Sequence, residues 1–191
     1  MKSCHRAVRV DLGHSFVDLP SVDIVATKLS LQGRAFLIFC VYIPPLFNLA
    51  RYQLLFDAFC SLRGFCESNT LIAGDFNIST FGSQFNLPNP CGAVLALRDF
   101  IDLFHLKQFN FISNSNERIL DLVMSNIECR VEAAVDSLVD EDVHHPSLII
   151  SILNVVDLSY LDNSAERGNP YYWNFKKGNL IVLYHYLSLL D

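Results

Sequence analysis

Two polar residues, Asp75 and Asn77, directly follow the apolar run from Thr70 to Ala73 and Gly74. A glycine lets backbone approach a ligand closely, and in extended chain two side chains at this spacing leave the same face. Phosphodiester hydrolysis needs a carboxylate that activates water or holds a metal, and a neutral amide that hydrogen-bonds a phosphoryl oxygen. Taken alone, the tetrapeptide is more typical of a strand-end turn.

A second polar group contains Asp142, His144 and His145, directly before Pro146 and an apolar segment. A histidine fixed at the entrance of a strand could act as an acid or stabilise a charged phosphorane. The alternative is a solvated acidic turn at residues 140–142 that the two histidines flank by chance. For an isolated cluster the alternative is favoured, so this pattern depends on the other motifs.

Asp121 lies in the segment 119–124, where all of the remaining residues are apolar. A carboxylate in such surroundings needs a partner, because its unpaired burial is costly. A histidine would satisfy Asp121 and would be oriented by it, as in catalytic carboxylate–histidine pairs. The alternative is an exposed edge strand. Tyr42 ends an apolar run just before Pro44, where its hydroxyl would reach the mouth of the same sheet, although a lone tyrosine is more often a core residue.

The periodicity of apolar residues predicts the elements that position these side chains. Residues 27–31 and 35–42 form a predicted hairpin about Gln32 and Gly33, and the helical spacing of apolar residues at 54–62 predicts an amphipathic helix. The remaining predicted elements are strands at 70–73, 119–124, 131–137 and 147–155, and a helix from 93 to 106. Polar composition from residue 157 to 170 predicts a linker, followed by an aromatic segment that looks helical near its end.

Composition limits the class of protein. The chain has 191 residues, of which 51% are hydrophobic, so a disordered protein is excluded and one domain with a tail is expected. The net charge of -6 and the pI near 5.4 argue against autonomous DNA binding. Six scattered cysteines without a CxxC pair predict reduced thiols of an intracellular protein, not a secreted one. Pro44 and Pro45 interrupt the longest apolar run, so no membrane association is expected.

The motifs follow one another in an order that resembles a known family, the endonuclease/exonuclease/phosphatase domains of jockey-like non-LTR retrotransposons. The matching region extends from about Val22 to Val155, and residues 172–177 resemble the connector that precedes reverse transcriptase in such polyproteins. The segments that carry the resemblance are Val41-Tyr42-Ile43-Pro44-Pro45, Leu71-Ile72-Ala73-Gly74-Asp75-Phe76-Asn77, Ile119-Leu120-Asp121-Leu122-Val123 and Asp142-Val143-His144-His145-Pro146.

The resemblance implies a DNase I-like α/β fold, a four-layer α/β/β/α sandwich of two mixed, mainly antiparallel sheets that is incomplete at the N-terminus. The implied domains are residues 1–156, a partial endonuclease domain, and residues 157–191, a linker and the start of the connector. The implied activity is nicking of target DNA with Mg²⁺ or Mn²⁺. The implied setting is a nuclear protein that is covalently linked to a reverse transcriptase.

Carried over residue by residue, the resemblance assigns a role to each candidate. Asp75 would activate the attacking water or assist the leaving group, Asn77 would hold the phosphate, and Tyr42 would contact it. Asp121 would orient the catalytic histidine, and Asp142 would bind the metal.

The identity of the catalytic histidine is left between two neighbours. The family motif has the form Ser-Asp-His-x-Pro or, in some elements, Asp-x-Tyr-His-Pro, whereas here Val143 separates Asp142 from His144. Counting back from Pro146 selects His144 under the first pattern and His145 under the second, and we favour His145.

The chain also departs from the family pattern. Family members carry an asparagine and a metal-binding glutamate on strands that precede the segment matching Val22, and a threonine near Ile112 and Ser113. We expect the chain to lack all three, which predicts weakened metal binding and impaired activity. The alternatives are a catalytically dead remnant or binding domain, and a phosphatase that acts on a small molecule or lipid. All three possibilities assume that the Asp75 carboxylate lies within about 10 Å of an imidazole that precedes Pro146.

Overall fold

The computed structural model describes residues 6–10, 12, 16, 19, 21–31, 34–62, 64–65, 68–135 and 142–153, and the backbone of 173–174. For Arg6 and Leu31 the description is likewise limited to the backbone. The predicted linker at 157–170 and the helix predicted near the end of the aromatic segment lie outside these residues.

The described strands form two sheets. The larger sheet has six strands in the order β1-β2-β3-β4-β6-β5, and β3 and β4 are its one parallel pair among the described strands. The smaller sheet is antiparallel, in the order β7-β8-β9. The strands are β1 (Arg6–Arg9), β2 (Asp23–Leu31), β3 (Arg34–Tyr42), β4 (Asn69–Asp75), β5 (Lys107–Gln108), β6 (Asp121–Ser125), β7 (Cys129–Ala133), β8 (Leu148–Ile152) and β9 (Trp173–Asn174).

Three helices connect the strands of the larger sheet. They are α1 (Leu49–Cys60), α2 (Phe81–Gln84) and α3 (Gly92–Leu103). Helix α1 joins the parallel strands β3 and β4, a connection that needs a crossover because a tight turn cannot join parallel strands. Asn48 caps α1 by accepting a hydrogen bond from the Arg51 backbone N–H at 3.0 Å. None of the helices in the described part of the chain is long and apolar enough to cross a membrane.

The predicted hairpin is confirmed, and its register runs from Leu31 opposite Arg34 to Asp23 opposite Tyr42. Both main helices also form where helical spacing predicted them, although α1 begins at Leu49, earlier than the pattern indicated. Strand β1 was not predicted from the sequence and pairs with β2.

Each face of the larger sheet packs against a different layer. Helices α1 and α3 lie on one face. The core between these helices and the sheet is rich in aromatic rings, with Phe59 in contact with Phe39, Phe65 and Phe100. The other face packs against the smaller sheet through Leu71, Val123, Ile150 and their neighbours. The described residues therefore form helix, sheet and sheet layers, and the predicted α/β class with two sheets is confirmed, the larger one mixed and the smaller one antiparallel.

Alternation along the central strands decides which layer each side chain meets. Ile72 of β4 and Leu122 of β6 belong to the core under the helices, whereas Leu71 and Val123 belong to the core between the sheets. Side chains two residues apart share a face of a strand. Continuing this alternation directs the carboxylates at the end of β4 and the start of β6 toward the smaller sheet.

Candidate functional site

Polar side chains form a row across one end of the larger sheet. Asp75 lies opposite Asp121 in the antiparallel β4–β6 pair and beside Tyr42 in the parallel β3–β4 pair. Tyr42 in turn lies opposite Asp23 of β2. Residues paired directly across strands share a face, so this row faces the smaller sheet. Asp23 was not among the predicted site residues, although a hairpin turning at Gln32 and Gly33 already places it opposite Tyr42.

His145 completes the cluster from the opposite side. It ends the turn of residues 142–145 that leads into β8 of the smaller sheet, and its Nδ1 lies 3.0 Å from Asp121 Oδ2 and 3.2 Å from Oδ1. Its Nε2 lies 3.7 Å from Asp75 Oδ2. The side chains of His145 and Asp75 are each 3% exposed, and that of Asp121 is 17% exposed. The expectation that Asp75 and an imidazole meet is thus fulfilled.

Asn77 folds back onto Asp75. The Asn77 backbone N–H donates to Asp75 Oδ1 at 3.0 Å, and its amide Nδ2 donates to Asp75 Oδ2 at 2.8 Å and to the Ile43 carbonyl at 2.6 Å. A φ of +51° makes this geometry possible, and asparagine tolerates that left-handed region better than most residues. Asn77 therefore fixes the carboxylate in the structure, and its predicted contact with phosphate stays a prediction.

Gly74 brings β3 and β4 close together beside the site. Its φ is +147°, and a Cβ at this position would lie 1.9 Å from the Val41 carbonyl oxygen. The sequence suggested a glycine that lets backbone approach a ligand, whereas the close approach in the structure is to the neighbouring strand. Asp75 leaves the strand directly after this contact.

The two carboxylates make the surroundings of the site electronegative. Burial and the Asp121 charge together raise the pKa of Cys40, which lies on β3, to about 12. Burial, the Asp75 charge and Cys91 raise the pKa of Tyr52 far above its usual value. Tyr52 stays protonated, and its hydroxyl donates a hydrogen bond to the Phe76 carbonyl at 2.7 Å. Burial is the larger cause of both shifts, and the charges of the two carboxylates add to it.

The same carboxylates make the cluster a candidate for a divalent cation. One ligand atom from each of Asp75, Asp121 and His145 lies within 4.8 Å of the others. Two carboxylates in a nearly buried position need compensating positive charge, which a neutral imidazole does not supply. The carboxylate oxygens of Asp75 and Asp121 fit a divalent cation such as Mg²⁺ or Mn²⁺.

The other two candidate residues of the turn lie outside this cluster. Asp142 is exposed, and its Oδ1 accepts a hydrogen bond from the His144 backbone N–H at 2.9 Å. His144 is also exposed, and its Nδ1 lies 3.1 Å from the amide of Asn116. Of the two neighbouring histidines, the structure therefore brings His145 to the carboxylates. The assignment of Asp142 as a metal ligand stays a prediction.

Sequence reasoning did not single out Asn110, which is fully buried. Its amide donates to the Asp121 carbonyl at 2.6 Å, and its side-chain oxygen accepts from the Ile112 backbone N–H at 2.9 Å. These bonds support the start of β6 from the edge of the sheet. The one available signal was a polar residue within the largely apolar stretch from Phe109 to Ile112.

No protein-family model and no curated protein matches the chain. Among solved structures, the catalytic domain of human Nocturnin with a bound sulfate is similar at 13% identity and a TM-score of 0.47, covering 77% of this chain and 60% of that one. An endonuclease/exonuclease/phosphatase family protein from Bacteroides thetaiotaomicron is similar at 12% identity and a TM-score of 0.44, covering 60% and 46%. Humanized D. rerio TDP2 is similar at 5% identity and a TM-score of 0.36, covering 67% and 57%.

The chain spans between 46% and 60% of the length of these three structures. Their TM-scores and identities are low. The proposals below therefore rest on the motifs of the chain and on the contacts of its described side chains.

Proposed function

We propose that this domain hydrolyses phosphodiesters with the help of a divalent cation, and that it derives from the DNA-nicking endonuclease of a jockey-like retrotransposon. One observation carries the proposal: His145 meets both Asp121 and Asp75, although the three residues come from separate elements. The motif order of the sequence supports the same assignment independently of these contacts.

The contact with Asp121 fixes the tautomer of His145. A neutral imidazole whose Nδ1 faces a carboxylate carries its proton on Nδ1, so Nε2 is the nitrogen that can accept a proton. Nε2 is the atom that faces Asp75 across 3.7 Å. His145 is therefore the acid–base candidate, and Asp121 is the residue that orients it.

We place the reacting atoms beside Asp75 and Nε2 of His145, which lie 3.7 Å apart. In hydrolysis the oxygen of water bonds to phosphorus, the bond from phosphorus to the leaving oxygen breaks, and one proton moves from the water to that oxygen. Asp75 and His145 can accept and deliver this proton. Asn77 keeps the Asp75 carboxylate in one orientation. A divalent cation held by Asp75 and Asp121 would supply electrostatic stabilisation of the phosphate charge.

Nicking of supercoiled plasmid in the presence of Mg²⁺ or Mn²⁺ tests the proposal. We expect nicking by the native chain and a rate about 10²- to 10⁴-fold lower for Asp75→Asn and for His145→Gln. Asp99→Asn is the matched control, because this carboxylate lies exposed on α3. Equal rates for all variants, or no metal-dependent nicking, would contradict the proposed reaction.

The net charge of -6 favours a second candidate, a phosphatase that acts on a small phosphorylated molecule or lipid headgroup. Bis(p-nitrophenyl) phosphate and p-nitrophenyl phosphate separate the two candidates, since the first is a diester and the second a monoester. Preference for the monoester, together with no plasmid nicking, would favour the phosphatase. Undetectable Mn²⁺ binding by calorimetry would instead favour a non-catalytic remnant or binding domain.

The retrotransposon assignment extends to the setting of the domain. We propose that residues 1–156 are an endonuclease-derived domain that acts on DNA in the nucleus, and that residues 157–191 lead toward a reverse transcriptase. Reading the genomic sequence beside the coding region tests this part, because a neighbouring reverse transcriptase reading frame is expected. A neighbouring frame that encodes an unrelated protein would contradict it.

A further inference from the structure

The turn that carries His145 is short, and Asp142 accepts hydrogen bonds from both histidines within it. The His145 backbone N–H donates to the Asp142 carbonyl at 3.1 Å, and the His144 backbone N–H donates to the Asp142 carboxylate. Asp142, Val143 and His144 are all exposed, whereas His145 is buried. A short exposed turn must therefore hold a buried imidazole in one orientation, which calls for support from another segment.

That support comes from the loop that precedes β6. The amide Nδ2 of Asn114 donates to the His144 carbonyl at 3.0 Å, so Asn114 holds the residue directly before His145. The Ser115 backbone N–H donates to the Val143 carbonyl at 3.3 Å, and the Ser115 hydroxyl donates to the same oxygen. Asn114 is only 7% exposed, although it lies in a polar loop.

Asn114 is itself fixed by its own loop. Its side-chain Oδ1 accepts from the backbone N–H groups of Asn116 at 2.9 Å and Arg118 at 3.0 Å. Its backbone N–H donates to the Arg118 carbonyl at 2.8 Å, and its carbonyl accepts from Glu117 at 2.9 Å. The loop closes at Arg118, just before the strand that begins with Asp121.

The oxygen and the nitrogen of the Asn114 side-chain amide thus have different roles. Oδ1 of Asn114 shapes the loop that leads into Asp121, and Nδ2 reaches across to the turn that leads into His145. One side chain therefore links the backbone on both sides of the Asp121–His145 hydrogen bond. A displacement of about 1 Å in a catalytic group can cost about 10²-fold in rate, so such a link matters for catalysis.

We propose that Asn114 is a positioning residue: it sets the hydrogen bond between His145 and Asp121 and thereby the direction of Nε2 toward Asp75. The catalytic consequence rests on the proposed phosphodiester hydrolysis. The geometric consequence does not, because the hydrogen bond can be observed without any substrate.

The test uses the substitution Asn114→Asp, which keeps Oδ1 for the loop and removes the Nδ2 donor to His144. Asn116→Asp is the matched control, since it adds the same charge two residues away, leaves the His144 carbonyl bonded and alters only the contact with the exposed His144 ring. Proton NMR of the metal-free chain reports the low-field Nδ1–H signal of His145, assigned by its absence in His145→Gln. Thermal unfolding followed by circular dichroism reports whether each variant is folded.

We expect the Nδ1–H signal in the native chain and in Asn116→Asp, and its loss or broadening in folded Asn114→Asp. In the diesterase assay we expect kcat to fall about 10- to 100-fold for Asn114→Asp while KM changes less than kcat. An unchanged signal in folded Asn114→Asp would overturn the proposal, and so would equal loss in both variants. If the native chain shows no hydrolysis, the proposed function fails, and the NMR signal alone still decides the positioning role.

Ser115→Ala keeps the experiment decisive if Asn114→Asp does not fold. Ser115 is exposed, and the change removes only its hydroxyl bond to the same turn. We expect partial broadening of the His145 Nδ1–H signal in this variant. An unaltered signal in Ser115→Ala, together with an unfolded Asn114→Asp, would overturn the proposal.

Discussion

At the scale of single residues, Asp121 shows how far chemistry alone can lead. It lies between Leu120 and Leu122, and the apolar neighbours required a partner for its charge. His145 is that partner, with Nδ1 at 3.0 Å from the carboxylate. The same requirement explains the bonds of Asp75, whose two oxygens accept from Asn77. Each carboxylate is thus matched by polar contacts before any substrate or metal is present.

The thiols make a second residue-scale prediction, which concerns alkylation. Partial burial would raise the pKa of Cys91, but hydrogen bonds from the Thr80 hydroxyl and from the backbone N–H groups of Val94 and Ala93 lower it. The thiolate is the nucleophile, so a lowered pKa gives Cys91 more thiolate at mildly alkaline pH. Cys40, with its pKa raised to about 12, stays a thiol there.

We therefore expect iodoacetamide to modify Cys91 well before Cys40. The alkylation rate of Cys91 should also reach its plateau at a lower pH than that of Cys40. Peptide mass spectrometry after timed quenching measures both rates. Thr80→Val is the control, because it removes the hydroxyl bond and should raise the pKa of Cys91. Faster modification of Cys40 in the native, folded chain would contradict the assigned pKa directions.

At the scale of elements, the parallel contact of β3 with β4 depends on Gly74. Its positive φ and its distance to Val41 leave no room for a side chain. Gly64 also has a positive φ, of +77°, but nothing lies within 4 Å of a Cβ built there. The two glycines thus separate the cost of left-handed backbone from the cost of a steric clash.

Gly64→Ala is expected to lower the free energy of unfolding by about 1–2 kcal/mol, which is the cost of a left-handed alanine. Gly74→Ala adds a clash with a backbone carbonyl that cannot move without breaking the sheet. We expect it to cost several kcal/mol and to leave the chain largely unfolded. Urea denaturation followed by far-UV circular dichroism measures the free energy of unfolding of both variants. Equal losses of stability in the two variants would contradict the close approach of the two strands.

At the scale of the whole molecule, the site lies where two sheets meet. The larger sheet supplies Asp75 and Asp121, and the turn before β8 of the smaller sheet supplies His145. The cores on the two faces of the larger sheet hold both layers in place. The site is therefore complete only where the two sheets are docked, and binding at the site should stabilise the whole fold.

A cation that binds only the folded chain raises its stability, by about 2.7 kcal/mol at a hundredfold excess over Kd. We expect saturating Mn²⁺ or Mg²⁺ to raise Tm by about 5 °C or more. Thermal unfolding of the chelator-treated chain with each cation measures the shifts. Asp75→Asn should lose the shift and Asp99→Asn should keep it. Equal shifts in these two variants would contradict cation binding at the cluster.

The sequence by itself determined the hairpin, the two main helices, and the residue types of the site. These features follow from local periodicity, from the turn at Gln32 and Gly33, and from the cost of an unpaired buried charge. Strand β1 was not predicted, because its four residues, Arg6–Arg9, give too short a pattern to recognise without the partner strand.

The tertiary structure alone decided which of the two histidines meets the carboxylates. His144 and His145 are adjacent and carry the same side chain. Which of them reaches Asp121 depends on how the turn packs against a residue that lies 24 positions from His145 in the sequence. It also decided that the Asn77 amide holds Asp75 and that Asp142 shapes the turn. Such contacts depend on the packing of two sheets, which no local pattern in the chain encodes.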